Sequence, residues 1–344
     1  MPPAPLDLTV FADSRSGRPL RREPDGLYAL DGRREAEFID GVTEFVRDAA
    51  QDHFGLQWNR FAAVQLDSFN GTTQSRDRLL SQSGLAPSDF AGKTVLEVGC
   101  GAGRFTEVLL SFGASVVAVD YSAAVHANRR THESAASDGT ALFARTDIFE
   151  LPFRPRSFDV VLCYGVLQHT GNAGEALSRV WEMVAPGGIL LVDRYRMSLQ
   201  NQILFKHLLR PATKRIDSET LLSLTERAVK RVFPWQLRVL GRLQGGGLRR
   251  LARLVLIRLM PNSVFPLNLH LQGRLDREVA LTWSILDTFD MYGPRYDAPQ
   301  TFRAWCRDLQ QLKGGAIERC AICGQGSTAT VRRSRARTPS DSGA

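Results

Sequence analysis

From Thr94 to Phe105 the chain reads Thr-Val-Leu-Glu-Val-Gly-Cys-Gly-Ala-Gly-Arg-Phe, and this stretch restricts the fold more than any other. A short apolar run reads as a buried strand. Three glycines at alternate positions follow, and then Phe105, Val108, Leu109 and Phe112 recur at helical spacing before Gly113. A strand that turns through glycines into a helix opens a doubly wound α/β sheet, and ligands bind at such turns. Glycine lets the backbone approach a ligand closely, and the unpaired amides of the helix N-terminus favour a negative group. The turn reads G-x-G-x-G. Arg104 occupies the position where a dinucleotide fingerprint has its third glycine, which argues against a nicotinamide or flavin cofactor.

The alternation continues downstream. Strands are predicted at 94–98, 115–119, 140–144, 158–164 and 189–192, with helices at 104–112, at about 123–134 and before Pro186-Gly187-Gly188. This order implies a parallel sheet with right-handed crossovers. Asp120 lies 21 residues after Gly99, at the end of the second strand, where a carboxylate can accept both hydroxyls of a ribose. Ser122 is a candidate N-cap of the next helix. Helices are expected again at 278–286 and 300–312. Two strands, 316–322 and 328–333, flank Gly324-Gln325-Gly326.

The pattern E-x-G-x-G-x-G after a strand resembles the first motif of class I S-adenosylmethionine (SAM) methyltransferases. Further matches are Phe158-Asp159-Val160-Val161, Leu167-Gln168-His169-Thr170, Ala176-Leu177-x-x-Val180 and Ala185-Pro186-Gly187-Gly188-Ile189-Leu190. They lie within residues 94–193, in the family's order. The resemblance implies an α/β fold with a seven-stranded, doubly wound, Rossmann-like sheet that ends in an antiparallel hairpin, and SAM as cofactor. It implies cofactor contacts from Glu97, Gly99, Cys100, Gly101, Gly103, Asp120, Tyr121, Ser122, Asp147, Ile148 and Tyr164. Asp147 is placed to meet the adenine amino group, Ile148 the adenine face, and Glu97 the methionine portion. Methyl transfer to a hydroxyl also needs a base. His169, in the loop after the fourth strand, is the catalytic candidate; it can equally be a structural residue of that loop, with Thr170 or Asn172 capping the next helix. Tyr164 and Tyr195 are alternative positioning groups.

The segment before the glycine turn is read in two parts. Residues 1–50 resemble, from Asp13 to Val46, the small zinc-ribbon domain at the front of some bacterial methyltransferases. The four positions that would carry its cysteines hold Asp13, Ser16, Tyr28 and Asp31, so a degenerate ribbon without metal is expected. Residues 51–92 read as a helical cap, either a layer over the sheet edge or a lid with Trp58 or Arg60 near the methionine end of the cofactor. Residues 93–195 are the SAM-binding core and 276–333 its completion. Residues 334–344 are a polar tail, expected to be disordered.

Residues 196–275 interrupt the α/β alternation as a basic helical insert after the fifth strand. From Arg196 to Arg258 there are 14 Lys or Arg against Asp217, Glu219 and Glu226, a net +11 in a chain whose formal net charge is +8. The rest of the chain is therefore close to neutral. The insert can be a solvated basic surface, a face for an anionic substrate or membrane surface, or a nucleic-acid surface; with Phe205, Phe233 and Trp235 as the only stacking rings from Arg196 to Arg258, nucleic acid is disfavoured. In its first helix Ile203, Leu204, Leu208 and Leu209 are expected to face inward, with Lys206 and Arg210 outside. In such methyltransferases, insertions here cover the acceptor site.

Apolar content of 43% and charged content of 23% describe an ordinary globular protein. The five cysteines form no disulfide framework, and Cys320-Ala321-Ile322-Cys323 is a lone CxxC without a second pair. With no signal-like leader, the expected location is cytoplasmic, with peripheral membrane contact through the insert. The reading is a SAM-dependent methyltransferase for a small-molecule or a lipid- or sugar-linked acceptor. The alternatives are an RNA or protein methyltransferase and a non-catalytic SAM-binding scaffold; the oligomeric state is left open.

Overall fold

The computed structural model describes residues 5–13, 15–46, 53–197, 204–243, 246–324 and 326–335. Four short strands come first, β1 (Arg21–Glu23), β2 (Gly26–Tyr28), β3 (Arg34–Ile39) and β4 (Val42–Glu44), followed by helices α1 (His53–Arg60), α2 (Asp67–Asn70) and α3 (Gln74–Ser83). The alternating region then runs β5 (Thr94–Val98), α4 (Arg104–Ser111), β6 (Ser115–Asp120), α5 (Ala124–Thr131), α6 (Glu133–Ser137), β7 (Ala141–Arg145), β8 (Phe158–Cys163), α7 (Ala173–Met183) and β9 (Val184–Tyr195). Four helices form the insert and its continuation: α8 (Leu204–Thr213), α9 (Ser218–Arg242), α10 (Leu248–Arg258) and α11 (Phe265–Leu271). The chain closes with α12 (Arg277–Tyr292), α13 (Phe302–Gln310), β10 (Gly315–Cys323) and β11 (Gly326–Arg333).

All described strands join one sheet in the order β1-β2-β3-β4-β7-β6-β5-β8-β9-β11-β10. It has eleven strands: the run from β7 to β10 with its antiparallel end, and β1 to β4 added at the β7 edge. β4 pairs in parallel with β7, Thr43 opposite Ala144, so the N-terminal segment extends the main sheet instead of forming a separate ribbon. Unpaired edge strands invite association, and β4 covers the edge that β7 would otherwise expose. Glu44 holds this junction, its carboxylate 2.7 Å from His126 Nε2 and 3.7 Å from the Arg145 guanidinium. Of the four cysteine-replacing positions, Asp13 accepts from Ser16 Oγ at 2.6 Å and from Arg33 at 3.4 Å, and Tyr28 donates to Asp25 at 2.9 Å. Side-chain hydrogen bonds thus tie this loop together.

The central strands are parallel, and β10 and β11 form the antiparallel end. β5 and β6 are covered on both faces, and their sequences are correspondingly apolar apart from their ends and Glu97. Alternation sends Val95, Val116, Ala118 and Leu162 into one core with Leu109 and Phe90, and Leu96, Val98, Val117 and Val161 into the other with Leu177, Trp181 and Trp305. A third core, with Leu222, Val229, Phe233, Leu267, Trp283 and Phe289, binds α9, α11 and α12 together over the carboxyl ends of the strands. The expected tail beyond residue 335 lies outside the described residues.

The orientation of α8 is the reverse of the expectation. Lys206 Nζ is 2.5 Å and Arg210 2.9 Å from Asp297, and Arg210 also donates to the Pro294 carbonyl at 2.6 Å. Leu208 and Leu209 are exposed, while the side chains of Leu204 and residue 203 lie outside the description. The Met291 and Pro294 carbonyls and the Asp297 carboxylate, which accept from this face, outcompete apolar packing for it, because buried polar groups left unpaired are costly.

Candidate active site

The glycine turn follows from backbone geometry. Gly99, Gly101 and Gly103 have φ of +76°, +53° and +98°, a region that L side chains avoid. At Gly99 a Cβ would stand 2.1 Å from Val166 Cγ2, and at Gly103 2.3 Å from Asn128 Oδ1. The turn is held to β6 by Asp120, whose two oxygens accept from Gly101 N and Ser122 N, each at 2.8 Å. Burial raises the Asp120 carboxyl and these amide donors oppose it.

This turn forms one wall of a cavity of about 1500 Å³. Gly99, Cys100, Gly101, Asp120, Tyr121 and Ser122 line it. Asp147, Ile148 and Tyr164 line it as well, with Asp147 Oδ1 accepting from Phe149 N at 2.9 Å. Gly103 and Glu97 do not. Glu97 is buried beneath the turn and accepts from Thr106 Oγ1 at 2.5 Å, and Thr106 in turn accepts from Asn128 at 2.8 Å. Burial pushes the Glu97 carboxyl up to about 8, with the Thr106 hydrogen bond opposing. Its place is structural support of α4.

Trp58 lies on the cavity wall against the turn, its ring 3.6 Å from the position of a Gly101 Cβ. Arg60 turns away to Glu226 at 2.9 Å. Arg104 spans from the turn to the helical layers: it donates to Ser75 Oγ at 3.0 Å and Gln65 Oε1 at 3.3 Å, and burial depresses it to about 10. That bridging role suits a long cation where the dinucleotide fingerprint has glycine.

Across the cavity stands His169. Its Nδ1 is 3.0 Å from the Tyr296 carbonyl, and its ring lies between Phe54 and Tyr195, centroids 5.3 and 5.6 Å away. A carbonyl oxygen only accepts, so Nδ1 carries the hydrogen of this contact. Asp193 fixes the preceding loop, accepting from Gly165 N at 2.6 Å and from Arg78 at 2.7 Å. Tyr164 is buried, its hydroxyl without a hydrogen-bond partner among the described residues, and burial, then Asp193, raise its pKa.

Motif reading missed Gln57, Asp193, Asp287 and Asp290. Asp287 and Asp290 come from α12 and line the cavity. Burial, reinforced by Asp290 and opposed by Arg104, raises Asp287 to about 7. Burial likewise raises Asp290, against the pull of His169, Lys206 and Gln57. These acids stand more than 180 residues from the glycine turn in an ordinary amphipathic helix, and no spacing rule links the two. Asn172 caps α7, accepting from Glu175 N at 3.2 Å, one of the two capping residues anticipated.

A sheet with parallel central strands, a glycine turn at its switch point and an acid at the end of the next strand defines a Rossmann-like nucleoside-binding protein. Residues 96–192 match the family described as Methyltransferase domain. The ubiquinone biosynthesis O-methyltransferase of Caulobacter vibrioides is 33% identical over 127 residues, covering 36% of this chain and 50% of that protein. The enzyme of the same name from Pseudomonas paraeruginosa is 37% identical over 102 residues, 29% of this chain and 43% of that one. The chain thus spans about half the length of the curated relatives it matches. Magnesium protoporphyrin IX methyltransferase from Synechocystis, solved with bound SAH, is similar with 14% identity and a TM-score of 0.41, covering 84% of this chain and 89% of that one. Residues 96–192 therefore carry a methyltransferase domain.

Proposed function

We propose that this protein methylates a hydroxyl group on an apolar small-molecule or lipid-linked acceptor. The observation that carries the reading is one continuous cavity with the glycine turn and Asp120 at one end and His169 at the other. Single-ligand pockets typically hold about 300–1,000 Å³, and this cavity exceeds that range, as room for a cofactor beside an acceptor requires. The donor set fits SAM: Asp120 keeps a lone pair on each oxygen for a ribose hydroxyl, Asp147 and Ile148 offer an acceptor and an apolar face to adenine, and Gly99, Gly101 and Trp58 flank the remaining portion. Bound there, SAM supplies an electrophilic methyl group on a sulfonium.

The chain's own residues supply the rest. His169 Nε2 takes the proton of the acceptor hydroxyl, and the Tyr296 carbonyl keeps the ring in the required tautomer. Phe54 and Tyr195 hold the imidazole in place. Residues of α10, α11 and α12 wall the cavity opposite the strands. The O-methyltransferase names of the relatives support oxygen as the target. The domain limits read from the sequence are retained within this proposal: a core at 93–195 and 276–333, and an acceptor cover at 196–275.

The test is incubation with methyl-labelled SAM and a panel of phenolic and hydroxylated apolar acceptors. Label is expected in at least one acceptor, with S-adenosylhomocysteine as co-product. Calorimetry that finds no binding of SAM or S-adenosylhomocysteine refutes the reading.

A further inference from the structure

Helix α10 is an unusual cover element. Its sequence holds Arg249, Arg250, Arg253 and Arg258 and no acid. Leu251, Val255 and Leu259 are 58%, 51% and 50% exposed. With Leu254 they recur at three- and four-residue spacing, so they form one outward stripe. Leu254 and, on α11, Phe265 are each 47% exposed and also line the cavity. A residue that does both stands at a mouth, and this mouth has an apolar rim. The inverted α8 adds exposed Leu208 and Leu209 to the outer surface of the cover.

We propose that the outer face of α10 docks on the anionic surface of a lipid bilayer, with the Leu254–Phe265 rim turned toward the acyl chains. Charge selects this occupant. A second copy of the chain would set one arginine-bearing, acid-free helix against another in a two-fold contact, and like charges repel. Nucleic acid needs stacking rings, and the stripe is aliphatic. A bilayer with anionic headgroups meets both demands, taking the leucines into its boundary region and the exposed Arg249 among its phosphates. Not every arginine takes part, because Arg253 donates to Asn268 at 2.5 Å and is half-buried. The acceptor entering at this rim is then a molecule dissolved in the bilayer; only this last step rests on the methyltransferase reading.

The experiment uses the full chain and vesicles of phosphatidylcholine with or without about one-third phosphatidylglycerol. The wild type is expected to float with the anionic vesicles only. The bound fraction should fall at least about tenfold from low to high salt, because exposed charges are screened. Leu251→Ser/Val255→Ser/Leu259→Ser, outside the cavity lining, should lose binding about tenfold with unchanged affinity for S-adenosylhomocysteine, which also shows that it folds. Phe265→Trp should gain fluorescence quenched by brominated acyl chains beyond that of the wild type. No flotation at low salt, flotation of the triple variant, absence of extra quenching at position 265, or a wild-type dimer that buries α10 each overturns the proposal. Failure to float with S-adenosylhomocysteine still bound sinks the docking alone. Flotation without such binding sinks the methyltransferase reading alone.

Discussion

Asp120 is the residue on which the cofactor end turns. It both closes the glycine turn and faces the cavity, so Asp120→Ala removes ribose acceptors and leaves the Gly101 and Ser122 amides unpaired. A loss of SAM affinity of about 1.5–3 kcal/mol is expected, measured by calorimetry. His169 should behave differently. His169→Ala is expected to lower kcat about 10²- to 10⁴-fold while SAM affinity is unchanged, since the side chain is placed toward the acceptor. Glu97 has a third signature. Its folded carboxyl titrates near 8, above that of an unfolded glutamate. Between roughly pH 4.5 and 8 the unfolded chain has released this proton and the folded chain keeps it, so the contribution to stability falls as pH rises, by up to about 1.4 kcal/mol per pH unit. Glu97→Gln imitates the protonated form and should flatten that slope in urea unfolding measured at pH 6 and 8.

At the scale of elements, the end of β9 coordinates its neighbours. Asp193 links β9 to the Gly165 loop and to α3 through Arg78. Asp193→Ala should destabilise the fold by about 1–3 kcal/mol in urea unfolding, because a partly buried amide and a partly buried guanidinium lose this acceptor. The strand–turn–helix start, the five parallel strands and the terminal hairpin were legible because each encodes its own period and its own breaker residues. The orientation of α8 was not. Lys206 and Arg210 look like solvent-facing cations by spacing alone, and they turn inward because Asp297, nearly 90 residues later, waits there with unpaired oxygens.

At the scale of the molecule, the N-terminal strands belong to the sheet. A chain beginning after Val46 loses the strand paired with β7 and the Phe11 contact with Phe153, ring centroids 5.4 Å apart. Such a truncation is expected to aggregate on purification, whereas a retained monomeric, SAM-binding protein by size-exclusion chromatography would show that the extension is dispensable.

The sequence by itself determined the α/β core, the class of cofactor and most of the residues that line one end of the cavity, from Gly99 to Tyr164. These signals are local: a strand, its turn and the acid at the next strand end lie within a few dozen residues, and their chemistry depends on backbone conformation that neighbouring residues dictate. Only the tertiary structure decided that Glu97 lies under the turn and not in the cavity, that the N-terminal strands lengthen the sheet, that α12 delivers Asp287 and Asp290 to the acceptor end, and which faces of α8 and α10 meet solvent. Each of these depends on partners distant in sequence. Whether a charged or apolar side chain turns inward follows from which oxygens and apolar surfaces the rest of the fold leaves unsatisfied, and no local period records that.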